Sequence, residues 1–245
     1  MSSDRIEELL GAYRPSQLDA EVTKVCPLYR EPDGRVSSVY LSLHELARSA
    51  LLSRLALGLR GLQVRGEEDC GGGRTDGSVS TPSLDGNFVL GPSGEKLAVI
   101  EVKTGLVKLL QAASYSHVER VPTLVAELET GDIHLLDPET AERLLSFAAD
   151  QVLVFAELEK EGVRIPDNPR CVRCSNADCP YHQEGGGLNG SPRIDEKVRE
   201  LEENLPGLVE RCIRRIKRLL AQRGYRVLGK VAGPEFVRQD EGGVL

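Results

Sequence analysis

Residues 84–105, LDGNFVLGPSGEKLAVIEVKTG, carry an aspartate, a glutamate and a lysine on two segments that a tight turn would fold against each other. β-Branched and apolar runs flank Gly91-Pro92-Ser93-Gly94, so an antiparallel hairpin is expected. Folding about that turn sets Asp85 opposite the stretch from Glu101 to Lys103. Strand alternation then puts Glu101 and Lys103 on one face and Val102 on the other. Two carboxylates can grip a divalent cation, and a lysine beside them can stabilise charge on a phosphate, which is the equipment of metal-assisted phosphodiester hydrolysis. Most Asp, Glu and Lys residues on strands simply form a solvated face. Here Val99, Ile100 and Val102 make the strand apolar on both faces, and charges in such a covered strand are costly unless paired or bound to metal.

The elements that must hold these residues follow from periodicity and punctuation. Helices are expected over residues 5–13, 42–59 and 106–117, the second carrying Leu43, Leu46, Leu51 and Leu55 at helical spacing. The glycine-rich stretch 70–77 reads as a mobile loop, and Cys26-Pro27 falls in a loop or at the start of a helix. TLVAEL and DIHLL, joined by Glu129-Thr130-Gly131, read as a second hairpin. Asp137 is placed to cap a helix with Pro138 in its first position, running to about residue 160. The last helix, 194–223, divides by charge around Pro206: acidic before it, and carrying Arg211, Arg214, Arg215 and Arg218 after it. A solvated face is the ordinary reading of that run, and a DNA-phosphate-contacting helix the sharper one.

Composition bounds the function. The 245 residues can hold one substantial core with a small appended module. No apolar span reaches membrane length and the first residues lack a signal-peptide core, so a soluble, cytoplasmic protein without membrane partners is expected. A net charge of −7 gives no general attraction to nucleic acid, so DNA binding would depend on local basic patches and metal. Assembly into a homo-oligomer stays open. The six cysteines in such a setting point to metal ligation rather than disulfides.

Gln111 and Tyr115, four residues apart on the helix after the Glu-x-Lys strand, share one face. The succession of helix, strands with Asp and Glu-x-Lys, helix with Gln-x-x-x-Tyr, and strand resembles the PD-(D/E)XK nuclease core of the RecB-like branch. The resemblance implies an α/β (α+β) fold of restriction-endonuclease type, with a central mixed sheet flanked by helices. It implies a metal site of His44, Asp85, Glu101 and the Val102 carbonyl holding Mg²⁺ or Mn²⁺, with Lys103 acting on the attacking water or transition state and Gln111 and Tyr115 on the DNA backbone. Asp76, in Arg74-Thr75-Asp76-Gly77, also resembles the family's aspartate motif. Hairpin geometry ranks Asp85 first, because Asp76 would have to lie beyond a strand broken by Pro82.

Cys171, Cys174 and Cys179 lie close together and Cys26 far upstream. That arrangement resembles the iron–sulfur nucleases, most closely the CRISPR-associated RecB-like exonucleases of the Cas-four type, in which a 4Fe-4S cluster ties the chain ends across the core. The resemblance spans about residues 20–182. It divides the chain into an N-terminal helical segment (1–40), a nuclease core (41–161), a Cys-rich module and linker (162–192) and a C-terminal helical tail (193–245). Its implied function is a DNA exonuclease working with CRISPR integrase proteins in spacer acquisition. The alternatives are a replication or recombination end-processing nuclease, or a non-catalytic DNA-binding scaffold. A local zinc site of Cys171, Cys174, Cys179 and His182 is the competing reading of the cysteines, with Cys70 and Cys212 as ordinary free thiols.

Overall fold

The computed structural model describes residues 2–30, 38–81, 94–105, 107–165, 171, 174–180, 194–227 and 236–238. The strand with apolar residues on both faces, β3 (Lys96–Lys103), is buried from Leu97 to Val102 and is the middle strand of a five-stranded mixed sheet. It follows β1 (Gln63–Cys70) and β2 (Gly73–Ser80), which form an antiparallel hairpin, and precedes β4 (Thr123–Glu127) and β5 (Asp132–Leu136), which form another. The order is β1-β2-β3-β4-β5, with β3 antiparallel to β2 and parallel to β4. The helix α4 (Leu109–Glu119) connects β3 to β4, since parallel neighbours need a crossover.

Helices cover both faces. On one lie α3 (Ser38–Gly58) and α6 (Ile194–Gln222), whose Leu51, Leu55, Leu208, Cys212 and Ile216 pack with Ile100, Val102 and Leu124. On the other, α1 (Ser2–Ala12), α2 (Pro15–Val22), α4 and α5 (Pro138–Lys160) close over Val125 and Leu136 through residues such as Ile6, Leu18, Ala113 and Leu145. The fold is therefore α+β, a mixed sheet flanked by helices. Asp137 caps α5, its Oδ1 accepting from Thr140 N at 2.8 Å, with Pro138 in the first turn. A small sheet of β6 (Tyr225–Val227) and β7 (Phe236–Arg238) follows α6.

Three expectations need correction. The strand beside β3 is residues 73–80, not 84–90: Ser80 pairs with Lys96 and Gly77 with Ile100, and β4 occupies the opposite edge. Residues 70–77 are not a loop. Gly71 and Gly72 take positive φ (51° and 78°) in a two-residue hairpin turn and the chain then enters β2 directly. The helix from residue 194 is no appended tail, because Leu205, Leu208, Val209, Cys212, Ile216 and Leu220 are buried at helical spacing against the sheet.

Candidate active site

The site forms where β2 and β3 run side by side. Extending the Gly77–Ile100 pairing by one residue brings Asp76 level with Glu101. Asp76 Oδ2 accepts the Val102 N–H at 2.7 Å, and its Oδ1 stands 3.4 Å from His44 Nε2, which α3 supplies. The other ring nitrogen of His44 lies 3.4 Å from Thr104 Oγ1. Asp76, ranked second by sequence, is thus the aspartate that meets Glu101 and His44. Asp85 lies outside the described residues, and the strand partnership that favoured it is made by β2 instead.

Glu101 and Lys103 share a face, and Val102 packs under α3 and α6. Lys103 pairs with Glu101 and donates to Gln111 Oε1 at 2.9 Å. Gln111 Nε2 donates to Tyr115 OH at 3.1 Å, and that hydroxyl donates to the Arg74 carbonyl at 3.0 Å. The chain of contacts returns to β2 two residues before Asp76, so β2, β3 and α4 fix one another around the lysine. Gly73 makes the close approach possible: a Cβ there would stand 2.9 Å from the Tyr115 hydroxyl and 3.0 Å from Pro15. The first turn of α4 is held from outside, by Asp19 of α2, whose carboxylate accepts the Leu110 and Gln111 N–H groups at 3.2 and 3.0 Å. Sequence reasoning missed Asp19, Thr104 and Arg74; no short motif marks contacts made across so many residues.

Burial pushes the Glu101 carboxyl up to about 7, with Lys103 pulling it down and Asp76 adding to the rise. The hydrogen bond with Asp76 raises His44. Glu101 is 2% exposed, and its Oε2 is buried without a hydrogen-bond partner. An orphaned carboxylate oxygen beside a second carboxylate and an imidazole is a donor set suited to Mg²⁺ or Mn²⁺. Asp76 and Glu101 already engage protein donors. Among the described residues, no three His, Cys, Asp or Glu side chains stand in a ready-made metal-binding group.

Cys26, Cys171, Cys174 and Cys179 are half-buried free thiols, and no three of them stand together as a metal-binding group, although the segments that carry them are hydrogen-bonded to each other. Ser175 N and Oγ donate to the Arg30 carbonyl at 2.9 and 3.2 Å, and Asn176 Nδ2 donates to the Leu28 carbonyl at 3.0 Å. His182 lies outside the described residues. Cys70 and Cys212 sit in the core, where burial pushes each thiol up to about 12, so neither is ionised at neutral pH. On α6, Arg211 pairs with Asp132 at 3.0 Å and Arg214 lies 4.0 Å from Glu210. A cavity of about 580 Å³ adjoins Gln111 and Tyr115 and runs along Arg14, Ser16, Asp69, Gly72 and Arg74.

No family model matches the chain, and no curated protein or solved structure matches it. Among the described residues no helix is long and apolar enough to cross a membrane.

Proposed function

We propose that the chain is a divalent-metal-dependent deoxyribonuclease that hydrolyses phosphodiester bonds at the ends of DNA strands, built on a PD-(D/E)XK core of the RecB-like branch. One observation carries the reading: Asp76, Glu101, His44 and Lys103, drawn from three elements, converge around a buried carboxylate oxygen that has no partner. An unpartnered buried acceptor costs about 1–3 kcal/mol; Glu68 Oε2 also lacks a hydrogen bond but has the Lys96 ammonium 3.0 Å away, whereas the Lys103 ammonium pairs with the opposite oxygen of Glu101.

Asp76, Glu101, His44 and the Val102 carbonyl would hold one or two Mg²⁺ or Mn²⁺ ions. A bound ion of this class lowers the pKa of water and neutralises charge developing on a phosphate. Lys103, held between Glu101 and Gln111, would bond an attacking water or a phosphoryl oxygen. The groove along Arg14, Ser16, Gly72 and Arg74 would take the sugar–phosphate backbone leading to that point. Arg14, the Ser16 hydroxyl and the glycine backbone would supply its phosphate-contacting groups, while Arg74 is paired with Glu67 and Asp69, at 3.2 and 3.6 Å.

The cysteines belong to the same reading as ligands of a structural 4Fe-4S cluster. The hydrogen bonds joining the Cys26 loop to the Cys174–Cys179 loop support four-cysteine ligation over a local zinc site. A role in CRISPR spacer acquisition beside integrase proteins, in the cytoplasm, rests on the cysteine spacing.

The test is degradation of end-labelled single-stranded DNA with Mn²⁺ and combined iron and zinc analysis. Asp76→Ala and Lys103→Ala should each abolish cleavage while leaving the protein folded. Retained cleavage in both folded variants rejects the active-site assignment. Cys174→Ala should lose iron, colour and thermal stability. A colourless anaerobic preparation with stoichiometric zinc and no iron assigns the thiols to zinc.

A further inference from the structure

Lysine is a poor residue at the start of a helix, where unsatisfied N–H groups and the helix dipole favour an acceptor or a negative charge. Yet Lys108 occupies the N-cap of α4 in extended conformation (φ −104°, ψ 94°), makes no side-chain cap bond and sends its ammonium away to the Ser16 carbonyl at 3.2 Å. The first turn of α4 contains no acidic residue. The two amides that a serine or aspartate N-cap would serve, those of the second and third helical residues, are Leu110 and Gln111. Asp19 reaches both from α2, one with each carboxylate oxygen.

The position of this borrowed cap matters because Gln111 is the residue that holds Lys103. Its backbone is anchored by Asp19, its side-chain oxygen accepts from Lys103, and its side-chain nitrogen donates to Tyr115. Asp19 is also the pivot of its own helix end. Its carbonyl accepts from Thr23 N at 3.1 Å and Thr23 Oγ1 at 2.6 Å, ending α2 just before the loop that carries Cys26.

We propose that Asp19 is a positioning residue of the active site: by capping α4 in trans it sets Gln111, and through Gln111 the ammonium of Lys103. It touches no substrate. The short helix α2 is held in place for this by burial of Pro15 and Leu18, the latter in the same cluster as Leu110 and Ala113 of α4. The inference rests on the nuclease reading above.

The experiment compares wild type, Asp19→Ala, Gln111→Ala, the double Asp19→Ala/Gln111→Ala, and Asp19→Ala/Lys108→Asp, which returns a cap to α4's own N-terminus. Readouts are kcat and KM on single-stranded DNA with Mn²⁺, and amide hydrogen exchange at Leu110 and Gln111. Asp19→Ala should lower kcat about 10- to 100-fold with KM changed less than about twofold, as expected for a misplaced group rather than lost binding. The two amides should exchange faster. Adding Asp19→Ala to Gln111→Ala should cost less than about threefold more, because the two act in series. Lys108→Asp should restore both rate and protection. If Asp19→Ala does not fold, Asp19→Asn, which keeps one acceptor, carries the same comparison with a smaller fall.

An unchanged kcat, full additivity with Gln111→Ala, or restored amide protection without restored rate overturns the proposal. A wild-type chain that cleaves no DNA overturns the nuclease reading and this inference with it. Wild-type cleavage with a full-rate Asp19→Ala variant overturns this inference alone.

Discussion

Strand β3 begins and ends on a lysine, and the two are wired differently. Lys96 lies between Glu68 of β1 and Glu119 at the end of α4, at 3.0 and 2.9 Å, so its charge fastens three elements together. Lys103 pairs with a carboxylate of its own strand and with the neutral Gln111 amide. The first lysine is outnumbered by acids drawn from other elements. The second is shared with one buried acid whose remaining oxygen has no donor. A pair that bridges elements is arranged for cohesion. A pair confined to one strand, buried at a cost and left half-satisfied, fits the binding role proposed for it.

The sharpest way to break this contrast is Glu101→Gln, which keeps the shape and removes the charge. Cleavage should fall by at least about 10²-fold, as when one electrostatic group is removed from a reacting site. Stability should be unchanged or raised by about 1 kcal/mol, because a costly buried charge is gone. The pH dependence has a definite sign. A carboxyl raised from 4.5 to about 7 holds its proton more tightly in the folded state, so its contribution is present below pH 4.5 and lost as pH rises through 7. The melting temperature of the Glu101→Gln variant should therefore gain on wild type across that window. A flat difference between pH 4 and pH 8 contradicts the buried-charge account.

Lys96→Met should do the reverse. With side chains about one-fifth exposed in all three residues, the loss belongs between that of an exposed and of a buried pair, about 1–3 kcal/mol by denaturant titration. Cleavage by the folded variant should stay within about twofold of wild type. A variant that is stable but inactive would mean that the two ends of β3 do not divide cohesion from chemistry.

Those groups were unequally legible in the sequence. β3 itself, the shared face of Glu101 and Lys103, the β4–β5 hairpin and the Asp137 cap of α5 follow from alternation and local punctuation. β1 and β2 do not: QVRGEEDC and GRTDGSVS carry too few apolar residues to announce strands, since β1 is the outermost strand of the sheet among the described residues and little of it is buried. That blind spot ranked Asp85 ahead of Asp76. With β2 mistaken for a loop, the nearest available partner of β3 was the segment containing Asp85. Pro82 seemed to disqualify Asp76, yet β2 ends at Ser80, before that proline. Asp19 was invisible for another reason: its bonds to Leu110 and Gln111 span about ninety residues, and only packing of α2 on α4 brings them within reach.

The smallest effect is expected from the basic half of α6. Arg223, at its end, donates to the Leu97 carbonyl, so this half of the helix runs toward the start of β3, the Lys96 end, and away from Glu101 and Lys103. Arg211, nearer the site, is already committed to Asp132. Replacing Arg214, Arg215 and Arg218 together by alanine should then change cleavage less than about twofold and leave the salt dependence of single-strand binding nearly unaltered. If all three contacted phosphates, the slope of log affinity against log salt would shrink by about 2, at roughly 0.7 per contact. A change of that size would make the start of β3 a nucleic-acid surface as well. Cohesion at one end and chemistry at the other would then be the wrong division of this sheet.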